Sequence, residues 1–221
     1  MSKTVVITGA NRGIGLELTR HYVATDDQVI CVCRRSSAEL ESIAHRVIGG
    51  IDVAEAADVS RLANEIGDQT IDVLINNAGI CTSESLENMD FGEIQRQFSV
   101  NAMAPLRITW QLLGNLVSGS KVIMITSRMG SIEDNTSGGR YGYRASKAAL
   151  NAIGVSLARD LAPEGISVAL LHPGFVQTRM TKFSGDVMPD EAAVGLIQRI
   201  EELTLETSGC FLHANGDPLP W

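Results

Sequence analysis

Tyr143 and Lys147 stand four residues apart in YRASK, inside a helical pattern, and so share one helix face one turn apart. A free phenol ionises at about pH 10, so it moves protons near neutrality only with help. A neighbouring ammonium and the cationic ring of an oxidised nicotinamide would give that help by favouring phenolate. Alone, such a pair is common on helix surfaces. Ser127, in ITSRMG, follows the fifth apolar run, where its hydroxyl would either polarise a substrate carbonyl or cap a turn. Asn101, in SVNAMAP, is a poor helix former within a long helical segment and would either kink the helix or hold a water.

A second group of residues has the chemistry of an anion cradle. TGANRGIG (Thr8 to Gly15) joins the first apolar run to the first helical pattern, with Gly9, Asn11, Arg12, Gly13, Ile14 and Gly15 in the turn. Glycines there allow a tight turn and leave backbone N–H groups and a helix N-terminus facing a pyrophosphate. The spacing G-x-x-x-G-x-G is not the commonest dinucleotide fingerprint, and a plain strand-to-helix connection is the alternative. About 20 residues on, a carboxylate would select a ribose 2′-OH. The sequence has Arg34 and Arg35 instead, whose guanidinium forks suit a 2′-phosphate, with Arg12 as a further cation. NADP(H) is therefore expected ahead of NAD(H), unless the arginines are merely solvated. Asp52 and Val53 follow the third run, where Asp52 either meets an adenine amino group or simply ends a strand. NNAG, with Asn77, Ala78 and Gly79, ends the fourth run; its amides tie down loops or its backbone approaches the cofactor ribose. PGFVQT, with Pro173, Gly174, Val176 and Thr178, ends the sixth, placed to hold a nicotinamide carboxamide.

The elements that must position these groups alternate. Apolar, β-branched runs lie at Thr4 to Thr8, Gln28 to Cys33, Arg46 to Ile51, Ile71 to Ile75, Lys121 to Thr126 and Ser167 to Leu171, with a seventh at Gly209 to His213. Helical patterns fall at Gly13 to Ala24, Ala38 to Ala44, Glu55 to Ile66, Phe91 to Val117, Tyr143 to Leu161 and Asp190 to Leu203. Strands that are nearly all apolar are buried on both faces, so a doubly wound, three-layer α/β/α sandwich of Rossmann type is expected, with residues 1–221 as one domain. The tail through Pro220 and Trp221 reads as a sheet edge or as packing against a neighbouring subunit.

Composition narrows the function. The chain has 221 residues, 44% hydrophobic and 20% charged, with a formal net charge of -8. That charge opposes binding to nucleic acid or acidic membranes. No apolar run approaches the roughly 18 residues of a membrane helix, and the N-terminus lacks the apolar core of a signal peptide, so a cytoplasmic protein is expected. Cys31, Cys33, Cys81 and Cys210 have no metal-ligand spacing and are expected to be reduced thiols, with Cys31 and Cys33 on one strand face.

Taken in order, TGANRGIG, NNAG, Asn101, Ser127, YRASK and PGFVQT resemble the short-chain dehydrogenase/reductase family over nearly the whole chain. YGYRASKAALN and the ending DPLPW are most similar to the subgroup of bacterial C-factor signalling proteins and insect sniffer carbonyl reductases. The resemblance implies a sheet of about seven strands and hydride transfer between a nicotinamide and a small carbonyl or alcohol substrate. It implies Tyr143 as acid/base, Lys147 lowering its pKa and bonding the nicotinamide ribose, Ser127 holding the carbonyl oxygen and Asn101 supporting a relay water. Tyr143 is preferred over Tyr141 because only Tyr143 has a lysine four residues later. Homodimers or homotetramers built on the helices around Asn101 and Tyr143 are also implied. Two departures stand out: a long, glycine-rich stretch between Ser127 and Tyr143, and a short lid segment from Thr178 to Pro189. A signalling protein that keeps the fold with incidental catalysis is the rival implied by the same subgroup.

Overall fold

The computed structural model describes residues 2–221. Seven strands form a single parallel sheet in the order β3-β2-β1-β4-β5-β6-β7. They are β1 (Thr4–Thr8), β2 (Gln28–Val32), β3 (Arg46–Ile48), β4 (Ile71–Asn76), β5 (Leu116–Ile125), β6 (Ser167–His172) and β7 (Cys210–His213). The chain winds outward from β1 to β3, then returns to start β4 on the other side of β1. This reversal opens a crevice above the carboxyl ends of β1 and β4, the place where open α/β sheets take ligands.

The apolar runs are continuous because each strand feeds two cores. Val6, Ile30, Val32, Leu74, Val122, Met124, Val168 and Leu170 face one layer. There they meet α3 (Ala56–Ile66), α5 (Ala104–Gln111) and α6 (Tyr141–Leu161). Val5, Ile7, Val29, Cys31, Val73, Ile75, Ile123, Ala169 and Leu171 face the other, against α1 (Gly13–Ala24), α2 (Ala38–Ile43) and α7 (Pro189–Glu202). Cys31 and Cys33 both belong to this second core as free thiols. Among the described residues no helix is long and apolar enough to cross a membrane, and no cluster of His, Cys, Asp and Glu could hold a metal.

Three boundaries differ from expectation by three residues or more. The single helix expected over Phe91 to Val117 is α4 (Phe91–Phe98), a π-helical turn (Ser99–Met103) and α5. Pro105 has no N–H to return to the Asn101 carbonyl four residues earlier, and the helix widens there. Leu116 and Val117 belong to β5, not to that helix, since Gly114 and Asn115 break it and the Asn115 amide bonds the carbonyls of Gly67 and Gln69. β3 stops at Ile48, because Gly49 and Gly50 follow and Gly50 turns through positive φ.

Helix α6 comes close to the sheet at Gly154, where an added Cβ would lie 2.7 Å from Leu170 Cδ2 in the core. Gly154→Val is expected to overpack this contact and lower stability by about 2 kcal/mol, read from the midpoint of a urea titration.

Candidate active site

The glycine turn leaves β1 with Gly9 N–H donating to the Val32 carbonyl at 2.8 Å. Gly9 and Gly13 have φ of 67° and 54°, a region glycine enters without strain. Gly15 allows the closest approach, since a Cβ there would lie 2.4 Å from the Gly9 carbonyl oxygen and 2.6 Å from Asn77 Nδ2. Arg12 precedes α1 with an extended backbone and no capping side chain, so the first amides of the helix point into the crevice unclaimed by a cap. A turn without side-chain bulk, ending in free helix amides, fits a phosphate.

NNAG is tied to this turn. Asn77 Nδ2 donates to the carbonyls of Thr8 and Gly9 at 2.9 and 3.2 Å, and the N–H groups of Asn77 and Ala78 both donate to Thr8 Oγ1 at 3.0 Å. From the other side, Thr178 reaches across so that a Cβ on Gly13 would lie 3.3 Å from its Cγ2. Thr178 is held by a small turn in which Thr181 Oγ1 bonds the Val176 and Thr178 carbonyls and the Phe183 N–H donates to Thr178 O at 2.7 Å. Pro173 and Gly174 follow the buried His172, whose pKa burial and His213 push down to about 3. The lid contains no helix between Thr178 and Met188, and Phe183 is 66% exposed.

Past β2 the arginines are exposed. Asn11 Nδ2 donates to the Arg35 carbonyl at 2.9 Å, joining this loop to the glycine turn. Asp52 Oδ1 accepts from the Ala54 N–H at 3.1 Å and Oδ2 lies 3.5 Å from Arg34 Nη1. Its carboxylate therefore turns its own loop and steadies Arg34. Val53 is a core residue, and Ile14 packs at the edge of the α1 core.

The residues expected to do chemistry converge at the carboxyl ends of β4, β5 and α6's first turns. Ser127 caps a short 3-10 turn (Arg128–Gly130), its Oγ accepting from the Met129 N–H at 3.2 Å. That turn rests on α6: a Cβ on Gly130 would lie 2.8 Å from the carbonyl carbon of Lys147. The long loop between Ser127 and Tyr143 thus leaves them together. Asn101 is fully buried and spent on structure. Its Oδ1 accepts from the Ile80 N–H, and its Nδ2 donates to the Ile80 carbonyl and to Ser146 Oγ, at 2.9, 2.9 and 3.0 Å. Ser146 in turn donates to the Tyr143 carbonyl at 2.8 Å. Asn101 sits in the widened turn and clamps the β4 loop to α6.

Lys147 Nζ is buried, donates to the Ile125 carbonyl at 2.7 Å and lies 5.9 Å from the Tyr143 ring centre. Loss of hydration lowers its pKa from 10.5 to about 8. The Tyr143 phenol moves the opposite way. Burial pushes it above its usual value and the Cys81 thiol adds to this, while the Ser127 hydroxyl and the Arg140 guanidinium pull it down. The expectation that a neighbouring cation would favour phenolate is thus outweighed by burial in the protein alone.

Cys81, Glu84 and Arg140 were not assigned to the site from the sequence. Arg140 Nη1 donates to Cys81 Sγ at 3.3 Å. Glu84 is buried and accepts from Gly142 N–H at 3.2 Å, Gln97 Nε2 at 2.9 Å and the Thr82 hydroxyl, anchoring the start of α6. The only signal was position, in the loops next to NNAG and YRASK. A surface groove along Ala152, Val155, Leu205 and Trp221 includes none of Ser127, Tyr143 and Lys147.

Known proteins are similar to this chain in sequence and fold. A model of short chain dehydrogenases matches residues 3–188. The 1-hydroxy-2-glutathionyl-2-methyl-3-butene dehydrogenase of Rhodococcus sp. is 39% identical over 224 residues, 99% of each chain. The C-signal protein of Myxococcus xanthus is 43% identical over 157 residues, 68% of this chain and 93% of that one. Among solved structures, an NADPH-bound carbonyl reductase from chicken fatty liver superposes with a TM-score of 0.91 at 29% identity, covering 100% of this chain and 99% of that one. The carbonyl reductase Sniffer of D. melanogaster has the same TM-score at 30% identity, with 100% of both chains covered.

Burying Lys147 costs stability at neutral pH. Below pH 8 both folded and unfolded chains carry the proton, so the whole penalty is present; between pH 8 and 10.5 the folded chain sheds it and recovers. Lys147→Met is expected to be more stable than the parent at pH 7 by about 1–3 kcal/mol, a margin that shrinks towards pH 10.5 in parallel denaturation curves.

Proposed function

The chain belongs to the short-chain dehydrogenase family and is an oxidoreductase, and on that premise we propose that it is an NADPH-dependent carbonyl reductase acting on a small or medium ketone or aldehyde. The observation that carries this reading is the meeting of Ser127, Tyr143 and Lys147 beside a glycine turn whose helix amides are free.

When bound, NADPH supplies the hydride. Gly9, Asn11, Arg12, Gly13, Ile14 and Gly15 hold the pyrophosphate, and Arg34 and Arg35 receive the 2′-phosphate. Asp52 and Val53 border the adenine, with Asp52 acting chiefly through Arg34. Asn77, Ala78 and Gly79 line the ribose side, and Pro173, Gly174, Val176 and Thr178 border the nicotinamide. Lys147 bonds the nicotinamide ribose. Support for the 2′-phosphate comes from the exposed arginines at the end of β2 and from the NADPH of the chicken enzyme.

The Ser127 hydroxyl donates to the substrate carbonyl oxygen, and Tyr143 gives that oxygen its proton. A phenol held above its usual pKa starts the cycle protonated, the form that reduction consumes. Lys147, with a pKa of about 8, can exchange a proton near neutrality and so restore the tyrosine. Asn101 positions Tyr143 through Ser146 and supports a relay water. Residues 1–221 act as one NAD(P)-binding unit in the cytoplasm. Exposed Phe91, Met103 and Trp110 on α4, the π turn and α5 support a homodimer or homotetramer on that face.

The similarity to C-signal favours a second reading, a dinucleotide-binding signalling protein in which turnover is incidental. NADPH oxidation over a panel of ketones, aldehydes and quinones separates the two. Tyr143→Phe is expected to keep cofactor affinity and lose about a thousandfold or more of turnover. Cofactor binding with no turnover of any panel member by the parent protein would favour signalling. Arg34→Asp should raise the NADPH KM and leave that for NADH unchanged or lower; an unaltered ratio removes Arg34 from the phosphate site.

A further inference from the structure

Arg140 precedes α6 with a left-handed backbone, φ 49° and ψ 46°. The two residues before it also have positive φ, and both are glycines. Glycine is the residue without strain at such a position, so the arginine is held there against its backbone preference. Its N–H donates to the Glu84 carbonyl at 2.9 Å, pinning it to the loop that follows β4. Its guanidinium touches Cys81 and bears on the Tyr143 phenol three positions along the chain.

The charge of this guanidinium is uncompensated. Among the described residues no carboxylate lies within ion-pair distance of Arg140. The carboxylate of Glu84, whose carbonyl accepts from the Arg140 N–H, is already engaged by Gly142, Gln97 and Thr82. Neighbouring arginines differ: Arg128 Nε pairs with Asp134 at 2.8 Å, and Arg144 bonds Gly138 O and Ser137 Oγ within its own loop. Arg140 is therefore a strained, exposed fork with several N–H donors to spare, beside the phenol expected to meet the substrate.

We infer that Arg140 is a specificity-determining residue, whose guanidinium receives a carboxylate carried by the carbonyl substrate. The inference rests on the reductase reading for the reacting end and adds the chemistry of the other end. Neutral carbonyls reach the same Ser127 and Tyr143 but leave the fork unpaired, so they bind less well.

The test uses the full chain with NADPH and compares para-formylbenzoate with its methyl ester in the parent, Arg140→Gly, Arg140→Gln and Arg140→Lys. Glycine suits the left-handed backbone, which keeps folding out of the comparison. The readout is the carboxylate-to-ester ratio of kcat/KM within each protein, so any general change at Tyr143 cancels. The parent is expected to prefer the carboxylate. The ratio should fall about tenfold in Arg140→Gly and Arg140→Gln, mainly through KM, with partial recovery in Arg140→Lys. A ratio unchanged by the substitutions overturns the inference, as does a fall in NADPH affinity at constant ratio, which would assign the guanidinium to the cofactor. Calorimetric binding of benzoate to the protein with NADP+ decides the matter without turnover, with about tenfold weaker binding expected in Arg140→Gly and equal binding overturning the proposal. If the parent reduces neither aldehyde, the reductase reading fails separately, and the benzoate titration still judges Arg140.

Discussion

An ammonium group taken out of water and given one carbonyl oxygen is the interaction on which this site depends. Lys147 donates to Ile125 at the end of β5, so helix α6 and this strand are joined by a charge that burial disfavours. Such a group persists only if its surroundings are fixed by other contacts. They are: Asn101 clamps the β4 loop to Ser146, Glu84 anchors the first turn of α6, and Gly130 lets the Ser127 turn lie directly on the Lys147 backbone. Each device spends a polar group or forgoes a side chain to keep Ser127, Tyr143 and Lys147 in register.

The nucleotide side is built on the opposite economy. Its turn is defined by what is missing, the Cβ atoms of Gly9, Gly13 and Gly15 and a cap for α1, and is stiffened from outside by Asn77 and Thr178. Charge enters only at the rim, where Arg34 leans on Asp52. A net acidic protein thereby presents a local cationic edge without altering its overall balance.

The fold was almost wholly legible in the sequence because strands buried on both faces must be continuously apolar, and the seven runs are. Boundaries failed where a local rule competed with the pattern. The apolar stretch through Leu116 and Val117 continues a helical period, yet Gly114 and Asn115 end the helix and free those residues for the sheet. That Tyr143 and Lys147 share a helix face was legible from spacing, whereas their grouping with Ser127 came from the order of motifs in the resemblance. The role of Asn101 was half legible: helix propensity marked it as anomalous, but its partners Ile80 and Ser146 come from other segments. Cys81, Glu84 and Arg140 were invisible because their importance arises from contacts across some 60 residues of chain and, for Arg140, from a backbone angle that arginine does not advertise.

The placement of β1 at the reversal of the sheet has a consequence for how the molecule is made. β1 finds β2 after a short crossover, but its other edge waits for Val73, Leu74 and Ile75, more than 60 residues later. Asn77, which braces the glycine turn, arrives with the same strand. As the chain is synthesised, its first third therefore leaves one edge of β1 unpaired, with backbone N–H and C=O groups open, the kind of edge that slows parallel sheets and invites association. The glycine turn therefore has its brace only once β4 closes that gap, which ties its shape to the completion of the sheet's centre.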